Sequence, residues 1–148
     1  MWRRRNSGHR RQRVWGPLAA VLVLVTSATA LALGAAPAAS AAVAPDEVAV
    51  TTLDAIVRAD FVGAASQFDP SLQKMLSVKT LEQSWNLYQQ AFGAYQSHGD
   101  PEVIQRGDLA VVNVPLQMER RPGQFRLSIH PEGTISQLLF LREGVPVP

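Results

Sequence analysis

Six arginines (Arg3, Arg4, Arg5, Arg10, Arg11, Arg13) open the chain, and after Arg13 no charged side chain occurs until Asp46. Inside that uncharged stretch, residues 18–33 form an apolar run with Thr26, Ser27 and Thr29 as its polar members. Gly34 and Pro37 interrupt the run, and it closes on the small-x-small triplet Ala39-Ser40-Ala41. A basic start, an apolar middle and a small-residue end are the parts of an export signal. The expected cut separates Ala41 from Ala42, so residues 1–41 take no part in the fold and the mature chain is secreted. Left uncut, a run of this length can hold a chain in a bilayer with the domain outside, and membrane contact is expected only then. The pair Arg10-Arg11 lacks the flanking residues of a twin-arginine signal.

Removing the signal inverts the charge. The mature segment keeps eight of the 14 Lys and Arg but all 12 Asp and Glu, a net charge of about −4 in place of +2. Nucleic-acid binding loses its support, because phosphate contacts need a concentrated basic surface. The one mature basic cluster, Arg120, Arg121 and Arg126, flanks a predicted turn and reads as a solvated hairpin tip. Cysteine is absent, which excludes disulfides and lipid attachment at a signal cysteine. A single domain of about 100 residues must then rest on its core, burying roughly two-thirds of its unfolded surface. Residues 42–47 are expected as a short disordered lead, 48–142 as the domain and 143–148 as a flexible tail.

The first half has helical spacing. Asp46 and Glu47 suit a first turn, with Ala49, Leu53, Ile56 and Val57 on one face. Asp60 can cap a short second helix, and Asp69-Pro70 a third. Thr80 and Gln83 form a capping-box pattern ahead of a stripe of Leu81, Trp85, Tyr88 and Phe92, and Gly93 is a stop. The second half alternates like strands. Residues 103–106 lead to Gly107-Asp108, and residues 109–118 place Ala110, Val112, Val114, Leu116 and Met118 on one face. Pro115 lacks a ladder donor and should face an edge or a bulge. Arg121-Pro122-Gly123-Gln124 fits a tight turn. Phe125, Leu127 and Ile129 then alternate with Arg126, Ser128 and His130. A turn with Gly133 follows, and residues 134–141 form the last strand. The expected fold is α+β, with N-terminal helices packed on a curved antiparallel sheet of about four strands. The strands carry apolar residues on the second face as well (Leu109, Val111, Leu138, Phe140), which points to a twin subunit there: a homodimer through the sheet face.

Few residues suggest chemistry. Trp85, Tyr88, Phe92 and Tyr95 can line a pocket for a small apolar ligand, with the Tyr88 hydroxyl at its mouth, or they can be core. His98 and His130 are the two mature histidines and lack metal-ligand spacing. Asp54, Gln83, Asn86 and Asn113 are left over as polar groups without a pattern. There is no nucleophile elbow, phosphate loop or dinucleotide fingerprint, and no catalytic residue, metal or cofactor is expected.

The ordered set Asp60-Phe61, Phe68-Asp69, Leu76, Thr80-Leu81-Glu82-Gln83, Trp85, Gly93-Ala94-Tyr95, the strand at 111–116 and Glu132-Gly133-Thr134-Ile135 resembles domain of unknown function 3887. The resemblance spans roughly residues 48–141. It implies the nuclear transport factor two-like superfamily, a cone of helices on a curved antiparallel sheet. Some members of that superfamily hold one acid or base in an apolar cavity, where its surroundings set its pKa. In several relatives the domain precedes an α/β-hydrolase domain, which this sequence does not contain. The functional expectation is a secreted, non-catalytic binding or interaction domain. The alternatives are a small-pocket enzyme or carrier, and an accessory to a separate hydrolase.

Overall fold

The computed structural model describes residues 43–147. The proposed signal and its cut at Ala41 and Ala42 lie outside them. Four helices come first: α1 (Pro45–Val57), α2 (Phe61–Ala65), α3 (Pro70–Met75) and α4 (Val78–Phe92). Five strands follow: β1 (Tyr95–His98), β2 (Glu102–Arg106), β3 (Leu109–Met118), β4 (Gly123–Ile129) and β5 (Ile135–Arg142). The fold is α+β, as the sequence implied, with five strands in one antiparallel sheet.

Local chemistry starts and stops the helices. α1 begins at Pro45, inside the expected lead, because proline at the first helical position gives up no needed donor. Asp60 accepts from Gly63 N at 2.9 Å and Asp69 from Leu72 N at 2.7 Å, each satisfying an orphan amide. α4 starts three residues earlier than the Thr80–Gln83 pattern suggested. Its cap is Ser77, whose extended backbone lets Oγ accept from Thr80 N at 3.2 Å. Gly93, at φ +91°, ends it.

Three hydrogen-bonded neighbours give the sheet its order, β1-β3-β4-β5, and β2 also pairs with β3. β1 and β2 thus share one edge of β3: β2 meets residues 109–113 and β1 meets 116–118. Pro115 stands in the gap between them. Its carbonyl accepts from Gly99 N at 2.9 Å, so the same side of the residue, where the amide hydrogen is missing, faces the break in the edge. β1 is a strand that the sequence pattern did not reveal.

The helix-facing side of the sheet is the core. Val112, Val114, Leu116, Phe125, Leu127 and Ile135 lose all contact with water against Leu53, Ile56 and Leu81 of the helices. Leu138 and Phe140 belong to this side, not to the second face expected for them. The β4–β5 pairing shifts register near Ile129, which puts Ile135 and Leu138, three residues apart, on one face. The hairpin before β5 turns as expected. Gly133 sits at φ +90° and donates to His130 O at 2.9 Å. Gly133→Val meets no neighbour but must hold a β-branched residue at positive φ, and should cost about 1–3 kcal/mol in thermal unfolding.

The Arg121–Gln124 turn differs from expectation. The chain reverses over residues 119–122, and Gly123 is already strand, paired with Leu116 and Arg142. The arginines there are not free in solvent. Arg120 donates to the Gln90 carbonyl and Arg121 to Ala91 O at 3.0 Å, both at the end of α4. Arg121 also lies over the Phe92 ring at 4.3 Å. Cations at a helix C-terminus satisfy its last carbonyls and oppose its dipole.

Candidate functional site

The four aromatic residues singled out in the sequence do come together. Tyr88 and Phe92 stack at 4.4 Å between centroids, and Trp85 lies 6.1 Å from Tyr88 and 6.2 Å from Tyr95. Phe140 of β5 closes the group, 5.3 Å from both Trp85 and Tyr88, and reaches Phe125 at 5.6 Å. Trp85 and Tyr88 are buried, Phe92 and Tyr95 half-buried. The stripe is therefore spent on joining α4 to the sheet.

The Tyr88 hydroxyl has a structural use in place of a cavity mouth. Gln124 and Leu141 are register partners, and the phenol oxygen bridges them. It donates to Leu141 O at 2.7 Å and accepts from Gln124 N at 3.1 Å. Burial raises its pKa above the ordinary 10.0. Burial also raises that of Tyr95, helped by the nearby Asp54 charge.

Beside this cluster runs an apolar groove of about 400 Å³ between α4 and β5, lined by Leu76, Leu81, Leu87, Tyr88, Leu138 and Phe140, among others. Leu87 is largely exposed in it. Of the four aromatics, Tyr88 alone borders the groove.

The outer face of the sheet holds what the sequence did not disclose. Three cross-strand rows can be read from the registers. Ile104, Val111, Ser128 and Gln137 form one, Glu102, Asn113, Arg126 and Leu139 the next, and Pro115, Gln124 and Leu141 the third. Arg126 is 3% exposed in the middle of this face. Its Nε donates to Asn113 Oδ1 at 3.3 Å, and its Nη1 to Pro146 O at 2.9 Å. Its Nη2 donates to Val145 O. With the Gln124 amide turned so that Nε2 donates to Arg142 O at 3.2 Å, Oε1 also accepts from Arg126 Nη2 at 3.2 Å. Residues 143–147, expected to fray, instead lie back across β4. The reason is the guanidinium, which stays buried only if its donors find acceptors. Arg126 thus leaves the solvated cluster assigned to it. Alternation along β4 signalled the face it occupies; nothing local signalled its cover.

His130 is likewise more than a loop residue. Its Nε2 lies 3.3 Å from Asp69 Oδ2, joining the β4 end to the α3 cap. Beside it, Ile135 exchanges main-chain bonds with Gln67 and Asp69 at 2.8 Å each. The Leu72 amide, more than His130, holds the Asp69 carboxyl below its ordinary 3.8, and Glu132 is lowered below 4.5 by its own amide and by Thr134. A lowered carboxylate stabilises the fold above its unfolded pKa and ceases to as pH falls through the folded value. Asp69→Asn keeps a capping oxygen but no charge. Its melting temperature should lie below wild type at neutral pH, and the gap should close in acid below pH 3.8. His98 bonds to the neighbouring Gly99 O at the end of β1. Among the described residues no three His, Asp or Glu side chains gather as a metal site.

Residues 49–138 match the sequence profile of the family described as protein of unknown function (DUF3887). The chain belongs to this family. The match covers the helices from α1 onward and the sheet into β5, which is the set of elements that build both faces described above. No curated protein and no solved structure matches the chain. No helix among the described residues is long and apolar enough to cross a membrane.

Proposed function

We propose that this member of the DUF3887 family is an exported, non-catalytic interaction domain that works through the outer face of its sheet and pairs there with a second copy. The observation that carries the reading is the division of labour between the two faces. On the helix-facing side the aromatic stripe is consumed in packing. On the outer side Ile104, Leu109, Leu139 and Leu141 stay half-exposed around buried Val111, an apolar surface that a solvated sheet face would not keep. A twofold contact lets one such patch cover its own copy. Export rests on the basic, apolar and small-residue order of the first 41 residues.

Sedimentation of the mature protein across a concentration series into the high micromolar range tests this. A dimer is expected, and Leu139→Arg, at a half-exposed site, should return it to monomer without unfolding it. A wild-type monomer throughout would remove the pairing. A second reading, an apolar ligand held between α4 and β5, is favoured by the groove of about 400 Å³ and its exposed Leu87. That size lies within the range of small-molecule sites.

A further inference from the structure

Arg126 lies on β4, a strand with neighbours on both sides, and no Asp or Glu side chain pairs with it among the described residues. Its charge is met by neutral acceptors, and two of these are successive main-chain carbonyls, Val145 and Pro146. Arg106 reaches the next carbonyl, Val147 O, at 3.5 Å. The hydrogen bonds thus go to the backbone of this segment rather than to its side chains. Any segment that turns two successive carbonyls to the same side can meet the same donors. Proline suits this position, since it lacks an amide hydrogen to satisfy and holds its backbone extended.

We infer that the groove around Arg126 is a binding site for an extended, proline-containing segment of a partner protein, and that residues 143–147 occupy it in cis. The inference rests on the outer face being the working surface, and names what that face recognises. Beside the strap a void of about 510 Å³ stays open, walled by Ile104, Asn113, Pro115 and Gln124 on the sheet and by the strap itself. The strap is joined through Gly144 at φ +78°, and Pro146 on it is exposed. Glu102 and Glu143 stand in the same lining as Arg106, and with Arg126 beside them the charges offset, so the site selects no strongly charged segment. The partner segment is therefore neutral, apolar beside its proline, and bound through its carbonyls.

The probe is a fluorescent peptide with the strap's own sequence Gly-Val-Pro-Val, blocked at both ends. It is titrated by anisotropy into the mature chain and into a full-length variant with Val145→Gly, Pro146→Ser and Val147→Gly. These substitutions lie outside every helix and strand. The wild-type strap competes with the probe, so the variant should bind it about tenfold or more tightly than wild type. Adding Arg126→Lys to the variant should abolish that gain, because lysine cannot offer the same fork of donors. Equal binding by wild type and variant overturns the inference, and so does binding that survives Arg126→Lys. If the variant melts below the assay temperature, Pro146→Gly alone serves in its place and must still bind more tightly than wild type. Sedimentation of the same samples separates the two proposals. A dimer that ignores the peptide removes the peptide site and keeps the pairing, whereas a monomer that binds it keeps the site and removes the pairing. A dimer that forms by exchange of straps between copies makes the partner this chain itself and overturns the inference.

Discussion

Trp85→Ala should lower stability by about 3–5 kcal/mol, a large part of the roughly 5–15 kcal/mol that a domain of this kind holds. The indole is 4% exposed and touches three rings from three elements: Tyr88 of α4, Tyr95 of β1 and Phe140 of β5. Removing it leaves a void that those rings cannot fill without abandoning one another. Trp85→Phe should cost much less, since a ring remains. Trp85 is the one tryptophan after residue 41, so its emission in the wild-type mature protein reports directly on the core. Denaturant unfolding followed by that emission gives the wild-type value, and circular dichroism gives both variants. An alanine variant that melts like wild type would place Trp85 outside the core.

Gly123→Ala should be nearly as damaging, for a reason that cannot be seen along the chain. A Cβ on residue 123 would stand 1.8 Å from the Tyr88 hydroxyl oxygen and 2.9 Å from the ring carbon that carries it. The phenol must leave, and its bonds to Leu141 O and Gln124 N leave with it. Overpacking and the loss of two hydrogen bonds, one of them buried, together put the cost at about 2–4 kcal/mol. In a Tyr88→Phe background the same substitution should cost at least about 1 kcal/mol less, because the two residues act on one contact. The wild-type contact also has a pH signature. Its phenol titrates above 10.0 in the fold, so its contribution is complete below pH 10 and declines as pH rises through the folded value. Tyr88→Phe should flatten the alkaline limb of the stability profile. Additive losses in the double mutant would show that glycine is not there for the phenol.

The fold was legible wherever a local rule decides. Asp60 and Asp69 cap their helices, Gly93 stops α4, Gly133 turns the last hairpin, and the apolar alternation of residues 109–118 defines β3. The misses share a different cause. Ser77 and Thr80 are both plausible caps, and their hydroxyls bond to each other at 2.9 Å, so residue type could not choose between them. β1 is four residues long without clear alternation, and its pairing depends on residues 116–118 of β3, far along the chain. Leu138 and Phe140 were assigned to the wrong face because a register shift resets the period of two. Gly123 looked like a turn residue because its requirement comes from Tyr88, which is distant in sequence.

The candidate site divides in the same way. The aromatic stripe was visible from its helical spacing, and the structure brings it together as packing. Arg126 was visible as one of three arginines near a turn and, by alternation with Phe125 and Leu127, as a residue of the outer face. Its burial depends on carbonyls contributed by residues 145 and 146, from a segment whose composition suggested fraying. A buried guanidinium on a central strand has no sequence signature when its acceptors are main-chain atoms. Tertiary contact alone turns that residue into the centre of a groove.

Native mass spectrometry of the protein recovered from the medium of its producing culture tests the central claim most directly. The account predicts a chain that starts at Ala42, present as a dimer and free of any small-molecule adduct. A monomer that carries a bound small molecule would contradict it, and would shift attention from the outer face to the groove between α4 and β5.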